Sequence, residues 1–184
     1  EMIARLVGSE MCIRDRDSKA SLLKKMEIEQ NKIIESHWEK RKRNKSIKSK
    51  FDVLILASII EKEGKKSEEL KNISSVFLNR LDKNMKLQSD VTVAYALNKK
   101  GNDFNTLDLK SKNYFNTYRY KGLPPTPICY PGEKAILAVL YPNNTDYLYF
   151  VSDGKGGHRF SKNFSEHKKN IKLWIKDLKN YGKN

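Results

Sequence analysis

The strongest constraint on the fold is one short stretch, Val53-Leu54-Ile55-Leu56-Ala57-Ser58-Ile59-Ile60, which is apolar almost without a break and runs directly into Glu61-Lys62-Glu63-Gly64. With Asp52 as a natural N-cap and Gly64 as a terminator, it predicts a helix that is apolar on every side for its first two turns. Such a helix belongs at the centre of a packed body. It is also well short of the roughly 18 to 20 apolar residues needed to span a bilayer, and no other run is longer. In a chain of 184 residues, 38% hydrophobic and 10% aromatic, this leaves one domain with a core of its own, or one domain and a small appendage.

The remaining elements follow from periodicity and punctuation. Apolar positions at helical spacing from Ser21 to about Arg43 predict an amphipathic helix running into Lys40–Lys50, where seven of eleven residues are basic and none is acidic. Ser67 starts a helix with Leu70, Ile73, Val76, Phe77 and Leu81 on one face, Ser89 caps another through Leu97, and a short one is expected at Leu107–Leu109. Residues 114–132 hold four of the five prolines, which fixes backbone angles and makes a stiff, ordered loop. Gly132 opens a helix that Pro142 ends. Tyr147–Val151 and His158–Ser161 flank the turn residues Asp153-Gly154-Lys155-Gly156-Gly157 as a β-hairpin, and Ser165 caps a closing helix. The expected class is α+β, a mainly helical body with a small antiparallel sheet.

Residues 1–16 are set apart. Leu6–Asp15 looks like the translation of a sequencing-library adaptor, so an artefactual tail is expected over 1–16, followed by an amphipathic helix and basic linker over 17–50 and the main domain over 51–184. Cys12 and Cys129, with three histidines, support neither a disulfide framework nor a zinc site, and no cofactor is expected.

Four constellations could carry chemistry. Glu61 and Glu63 close the apolar helix, and a carboxyl held against apolar surroundings has the raised pKa of a general acid. Two positions apart they point about 200° away from each other, so one must be chosen. Glu61 lies over the small Ala57 and Ser58, which leaves room for a substrate, and this favours Glu61. The second is Leu87-Gln88-Ser89-Asp90-Val91-Thr92, polar groups at the start of a helix, explained as well by plain capping. The third is Tyr114–Tyr120, aromatic faces beside amides and hydroxyls, as in sugar-binding clefts. The fourth is the turn around His158.

In series, Ala57–Glu63, Phe77-Leu78-Asn79-Arg80-Leu81, Leu87–Asp90 with Thr92-Val93, Asn116-Thr117-Tyr118, Gly122-Leu123-Pro124-Pro125, Asp146–Val151 and His158 with Phe160-Ser161 resemble the YceG-like (MltG) endolytic murein transglycosylases, from about Leu22 to Ile171. Gly64, Phe115, Thr126 and Cys129-Tyr130 depart from the family's usual residues. The resemblance implies that Glu61 is the catalytic acid, with Gln88, Ser89, Asp90, Thr92, Asn116, Thr117, Tyr118, Gly122, Leu123, Pro124, Pro125 and His158 lining a glycan cleft. It implies cleavage of the bond between N-acetylmuramic acid and N-acetylglucosamine to give 1,6-anhydro ends. Asp90 is the best candidate for a second carboxylate. It also implies peptidoglycan synthases as companions and a single-pass membrane anchor upstream, with the catalytic domain outside the cytoplasm.

Charge supplies the rival reading. Lys and Arg number 37 against 22 acidic residues, net +15, which could mark a nucleic-acid-binding module. The lysines are spread through the chain and mixed with Glu, and no nucleic-acid motif occurs, so nucleic acid is not an expected partner. A catalytically silent cell-wall scaffold is the third reading.

Overall fold

The computed structural model describes residues 18–99 and 105–181. The segment expected to derive from an adaptor, and Cys12 with it, lies outside the described residues. Six helices and one hairpin follow in the order α1 (Lys19–Trp38), α2 (Lys50–Glu63), α3 (Leu70–Asp82), α4 (Asp90–Ala96), α5 (Glu133–Leu140), β1 (Tyr149–Ser152), β2 (His158–Ser161) and α6 (Phe164–Tyr181). Short 3-10 turns precede α3 at Ser67–Glu69 and fall at Asp108–Lys110. The fold is α+β.

α2 is the central helix its composition demands. Val53, Leu56, Ala57, Ile59 and Ile60 are completely buried, against α3, α5 and part of α4. It begins three residues earlier than Asp52 suggested, because Ser49 accepts the Asp52 N–H at 3.1 Å while the Asp52 carboxylate accepts the Ser49 N–H at 2.9 Å. That reciprocal box satisfies two end donors at once and places Asp52 inside the first turn.

α1 stops at Trp38 rather than running into the basic stretch. Arg41 stacks on the Trp38 ring and donates to its carbonyl, and the chain then turns so that the Lys42 N–H reaches the Leu140 carbonyl at 2.9 Å and Ile47 is buried. Met26 and Ile34 of α1 are also buried, and α1 packs on α5, so residues 18–50 share the core of the rest.

Residues 114–132 form no regular element, yet the backbone is pinned to its surroundings. Ile128 donates its N–H to the Ser58 hydroxyl at 2.9 Å, and the Gln30 amide donates to the Pro131 carbonyl at 2.7 Å. β1 and β2 pair antiparallel, Tyr149 opposite Ser161 and Ser152 opposite His158, with Phe150 edge-on to Phe77 of α3. α6 covers the hairpin. Asn163, not Ser165, starts it: its Oδ1 accepts the Glu166 N–H at 2.9 Å, and its amide donates back to the Glu166 carboxylate at 2.7 Å.

Candidate active site

The two carboxylates at the end of α2 go to different places, as their spacing requires. Glu61 turns toward the proline-rich segment and accepts the Gly132 N–H at 3.2 Å. The space over Ser58 that favoured Glu61 as the acid is already filled: Ser58 receives Ile128 on its hydroxyl, and the Cys129 thiol donates to its carbonyl at 3.4 Å. Burial pushes that thiol up to about 11. The room on which the preference for Glu61 rested is therefore absent, because the neighbours over Ser58 arrive from a distant loop and not from the preceding helical turn.

Glu63 has the setting that the sequence argument assigned to Glu61. Its carboxyl accepts the Ser89 hydroxyl at 2.5 Å and is crowded by protein atoms, yet it keeps part of its surface open. Burial raises its pKa above the ordinary carboxylate range, and the charge of Asp90 adds to the effect. The Ser89 hydrogen bond and His158 pull the other way without cancelling it. An acid held neutral beyond its usual range can donate a proton near neutral pH.

Ser89 stands at the N-cap position of α4 but makes no capping bond with its side chain. Its hydroxyl is spent on Glu63 instead. The backbone there is fixed from three sides. The Ser89 N–H donates to the Thr117 hydroxyl at 3.0 Å, that hydroxyl meets Thr92 at 2.9 Å, and the Gln88 N–H donates to the Thr117 carbonyl at 3.1 Å. Gln88 itself sits at φ 51°, a left-handed conformation that costs a side-chain-bearing residue free energy. Arg80, only 8% exposed, holds the strained segment: it donates to the Leu87 carbonyl at 2.8 Å and the Leu148 carbonyl at 2.6 Å, and approaches Gln88 Oε1 at 3.4 Å. Burial lowers its pKa. The buried cation ties the Gln88–Asp90 junction to β1.

Asp90 and Tyr118 close another side. The Tyr118 hydroxyl donates to Asp90 at 2.5 Å, and burial first, then this bond, drives the phenol far above its usual range. His158 opens β2 with its Nδ1 2.8 Å from Glu69 and its backbone N–H donating to the same carboxylate at 3.1 Å. Gly157 makes the approach feasible, since a Cβ there would meet Glu69 Oε1 at 2.6 Å.

Of the cleft residues named from sequence, Ser89, Asp90, Tyr118 and His158 act directly on Glu63 or on its immediate partners, and Gln88, Thr92 and Thr117 brace them. Asn116 is fully buried with its amide on the Leu109 and Ser111 carbonyls, so it staples its own loop. Leu123 packs on the core, Pro124 is buried, Pro125 is exposed, and Gly122 takes φ +89° with nothing close to it. Sequence reasoning passed over Arg80 and Glu69 and set Glu63 second. Arg80 was signalled, being a charge one turn beyond Val76 and Phe77 on an otherwise apolar face. Among the described residues, no three His, Cys, Asp or Glu gather as a metal site.

Among the described residues, the class is a mainly helical α+β body with one two-stranded hairpin, carrying Glu63 at the end of its central helix as a carboxyl of raised pKa. The YceG-like family profile matches residues 6–173, and the chain belongs to that family. The match begins inside the stretch that was set apart as adaptor-like. The endolytic murein transglycosylase of Bacillus subtilis strain 168 is 38% identical over 154 residues, 84% of this chain and 42% of its own length. That of Streptococcus pneumoniae strain R6 is 35% identical over 126 residues, covering 65% and 23%. The crystal structure of a yceG-like protein from Listeria monocytogenes superposes with a TM-score of 0.72 at 35% identity, covering 88% of this chain and 52% of that one. This chain thus spans less than half the length of the curated relatives it matches.

Proposed function

We propose that this chain is the catalytic part of an endolytic murein transglycosylase, with Glu63 as its acid and base. The observation that carries the reading is the Glu63 carboxyl, enclosed, raised in pKa and bonded to Ser89. In its neutral form it delivers a proton to the oxygen joining N-acetylmuramic acid to N-acetylglucosamine. The C1–O bond breaks, and the cation-like sugar is captured by its own C6 hydroxyl. Glu63, now a carboxylate, takes the hydroxyl proton and is ready for the next bond. No water is consumed, and the product carries a 1,6-anhydro end. An ordinary glycosidase needs a second carboxylate as nucleophile or base. Here one group serves in both halves, and Asp90, engaged by Tyr118, borders the site.

The names of the relatives support murein as the substrate class, and the +15 charge suits an anionic cell wall. We further infer action outside the cytoplasm, with a membrane anchor in a part of the protein beyond this chain and peptidoglycan synthases as companions. The deciding experiment is incubation of the purified chain with uncrosslinked glycan strands and mass analysis of the ends. Glu63→Gln is expected to abolish release of anhydro-ended fragments, by at least about a hundredfold, while Glu61→Gln retains activity. The reverse pattern would restore Glu61 as the acid, and water-derived ends would replace the transglycosylase reading by hydrolysis.

A further inference from the structure

Beside the end of α2 that carries Glu63 runs a hollow that the proposed acid–base chemistry does not use. Two depressions of about 370 and 440 Å³ share Tyr95 and Ile128, so they form one groove between α2, α4 and the proline-rich segment. It begins at Lys62, between the two helix-end carboxylates. Its floor includes Val91 and Ala94, and Ala94 lies one turn along α4 from Asp90. It ends at Tyr130, beside Pro131.

Three features of the lining select the occupant. The floor is largely apolar, the one glutamine is already spent on the Pro131 carbonyl and Asn98 is the remaining amide, so paired amides for sugar hydroxyls are few, while the acidic Glu27 lies at the end away from Lys62. Two tyrosines stand open, Tyr95 at 48% and Tyr130 at 38% exposure, amphipathic surfaces of the kind that peptide-binding grooves retain. The exposed Lys62 makes no ion pair with a described residue, whereas Lys99 in the same groove is held by Asp108 at 2.7 Å. A cation unpaired among the described residues and next to the proposed acid, followed by an apolar trough, matches a short peptide of small side chains and free carboxylates.

We propose that this groove takes the peptide stem borne by the muramic sugar, with Lys62 on a stem carboxylate and Val91, Ala94 and Ile128 under the small side chains. The proposal rests on the murein reading above and adds a second recognition element to that site. Lys62 precedes Glu63 on α2 and Val91 follows Asp90 on α4, so the groove starts next to the proposed acid on both helices, within reach of a stem attached to the sugar there.

Two measurements on the purified chain test it. First, a synthetic stem tetrapeptide is titrated while backbone NMR shifts are followed. Shifts at Lys62, Val91, Ala94 and Tyr95 are expected, with affinity weakened about tenfold in Lys62→Glu and lost in Ala94→Trp. Should Ala94→Trp fail to fold, the exposed Lys62 variant carries the test. Absence of shifts, shifts confined to other surfaces, or the same groove shifts with stem-free glycan strands would each overturn the assignment. Second, turnover is compared on stem-bearing strands and on strands stripped by an amidase. Lys62→Glu is expected to reduce the preference for stem-bearing strands about tenfold through KM with little change in kcat, and an equal loss on both strand types refutes the groove's role. If the wild type turns over neither strand, the transglycosylase reading fails, while the peptide titration still decides the groove.

Discussion

At the scale of residues, the candidate site rests on Ser89 leaving its cap and Glu63 accepting burial. A carboxyl whose folded pKa is raised favours its neutral form in the native state. Its contribution to stability is therefore complete below the ordinary carboxylate range and is lost as pH climbs through the raised value. Glu63→Gln removes that loss. The variant is expected to melt higher than the parent at about pH 7.5 and to lose the advantage near pH 4, as calorimetry at the two pH values would reveal. A variant melting lower at both values would contradict the enclosure. Under the role proposed for Glu63, function and stability pull against each other at this position.

At the scale of elements, the hairpin delivers His158 to Glu69 only because residue 157 has no side chain. Gly157→Ala would set a methyl 2.6 Å from Glu69 Oε1 and 2.9 Å from Asp153 Oδ2. Both are ends of flexible side chains that must swing aside and loosen the backbone donors they accept, for a cost of about 1 kcal/mol. A urea midpoint falling accordingly, with slower turnover, is expected; an unchanged midpoint would mean that the turn adapts freely. The hairpin was legible in sequence, because β-formers flank a run of turn residues, and so was α2, because a helix apolar all round has one place to go. Its starting residue was not, since Ser49 and Asp52 compete for the cap and only the reciprocal geometry decides. The candidate site was legible as a set of segments: Gln88–Thr92, Asn116–Tyr118 and His158 all lie near it. The lack of room over Ser58 beside Glu61 was not, because it depends on Ile128 and Cys129 arriving there, a contact across some 70 positions of chain. The burial of Asn116 was hidden for the same reason, since a polar residue beside aromatics reads as a ligand contact until its amide is seen on two carbonyls of its own loop.

At the scale of the whole molecule, charge and architecture act separately. The +15 balance contributes to encounter with anionic surfaces and not to the fold. Retention on isolated sacculi is expected to fall severalfold between about 50 mM and about 500 mM salt, as the screening length shrinks below the spacing of surface lysines. Retention indifferent to salt would place recognition in the cleft and groove alone. No described helix is long and apolar enough to cross a membrane.

The tie between Gln30 and Pro131 has a practical side. An expression boundary drawn at the first residue of the central helix would discard the partner that seats this proline, along with Met26 and Ile34, and would leave one wall of the groove unsupported. A shortened product of that kind could still show a folded spectrum and bind glycan strands poorly, and a negative assay on it would report the trimming and not the proposed function.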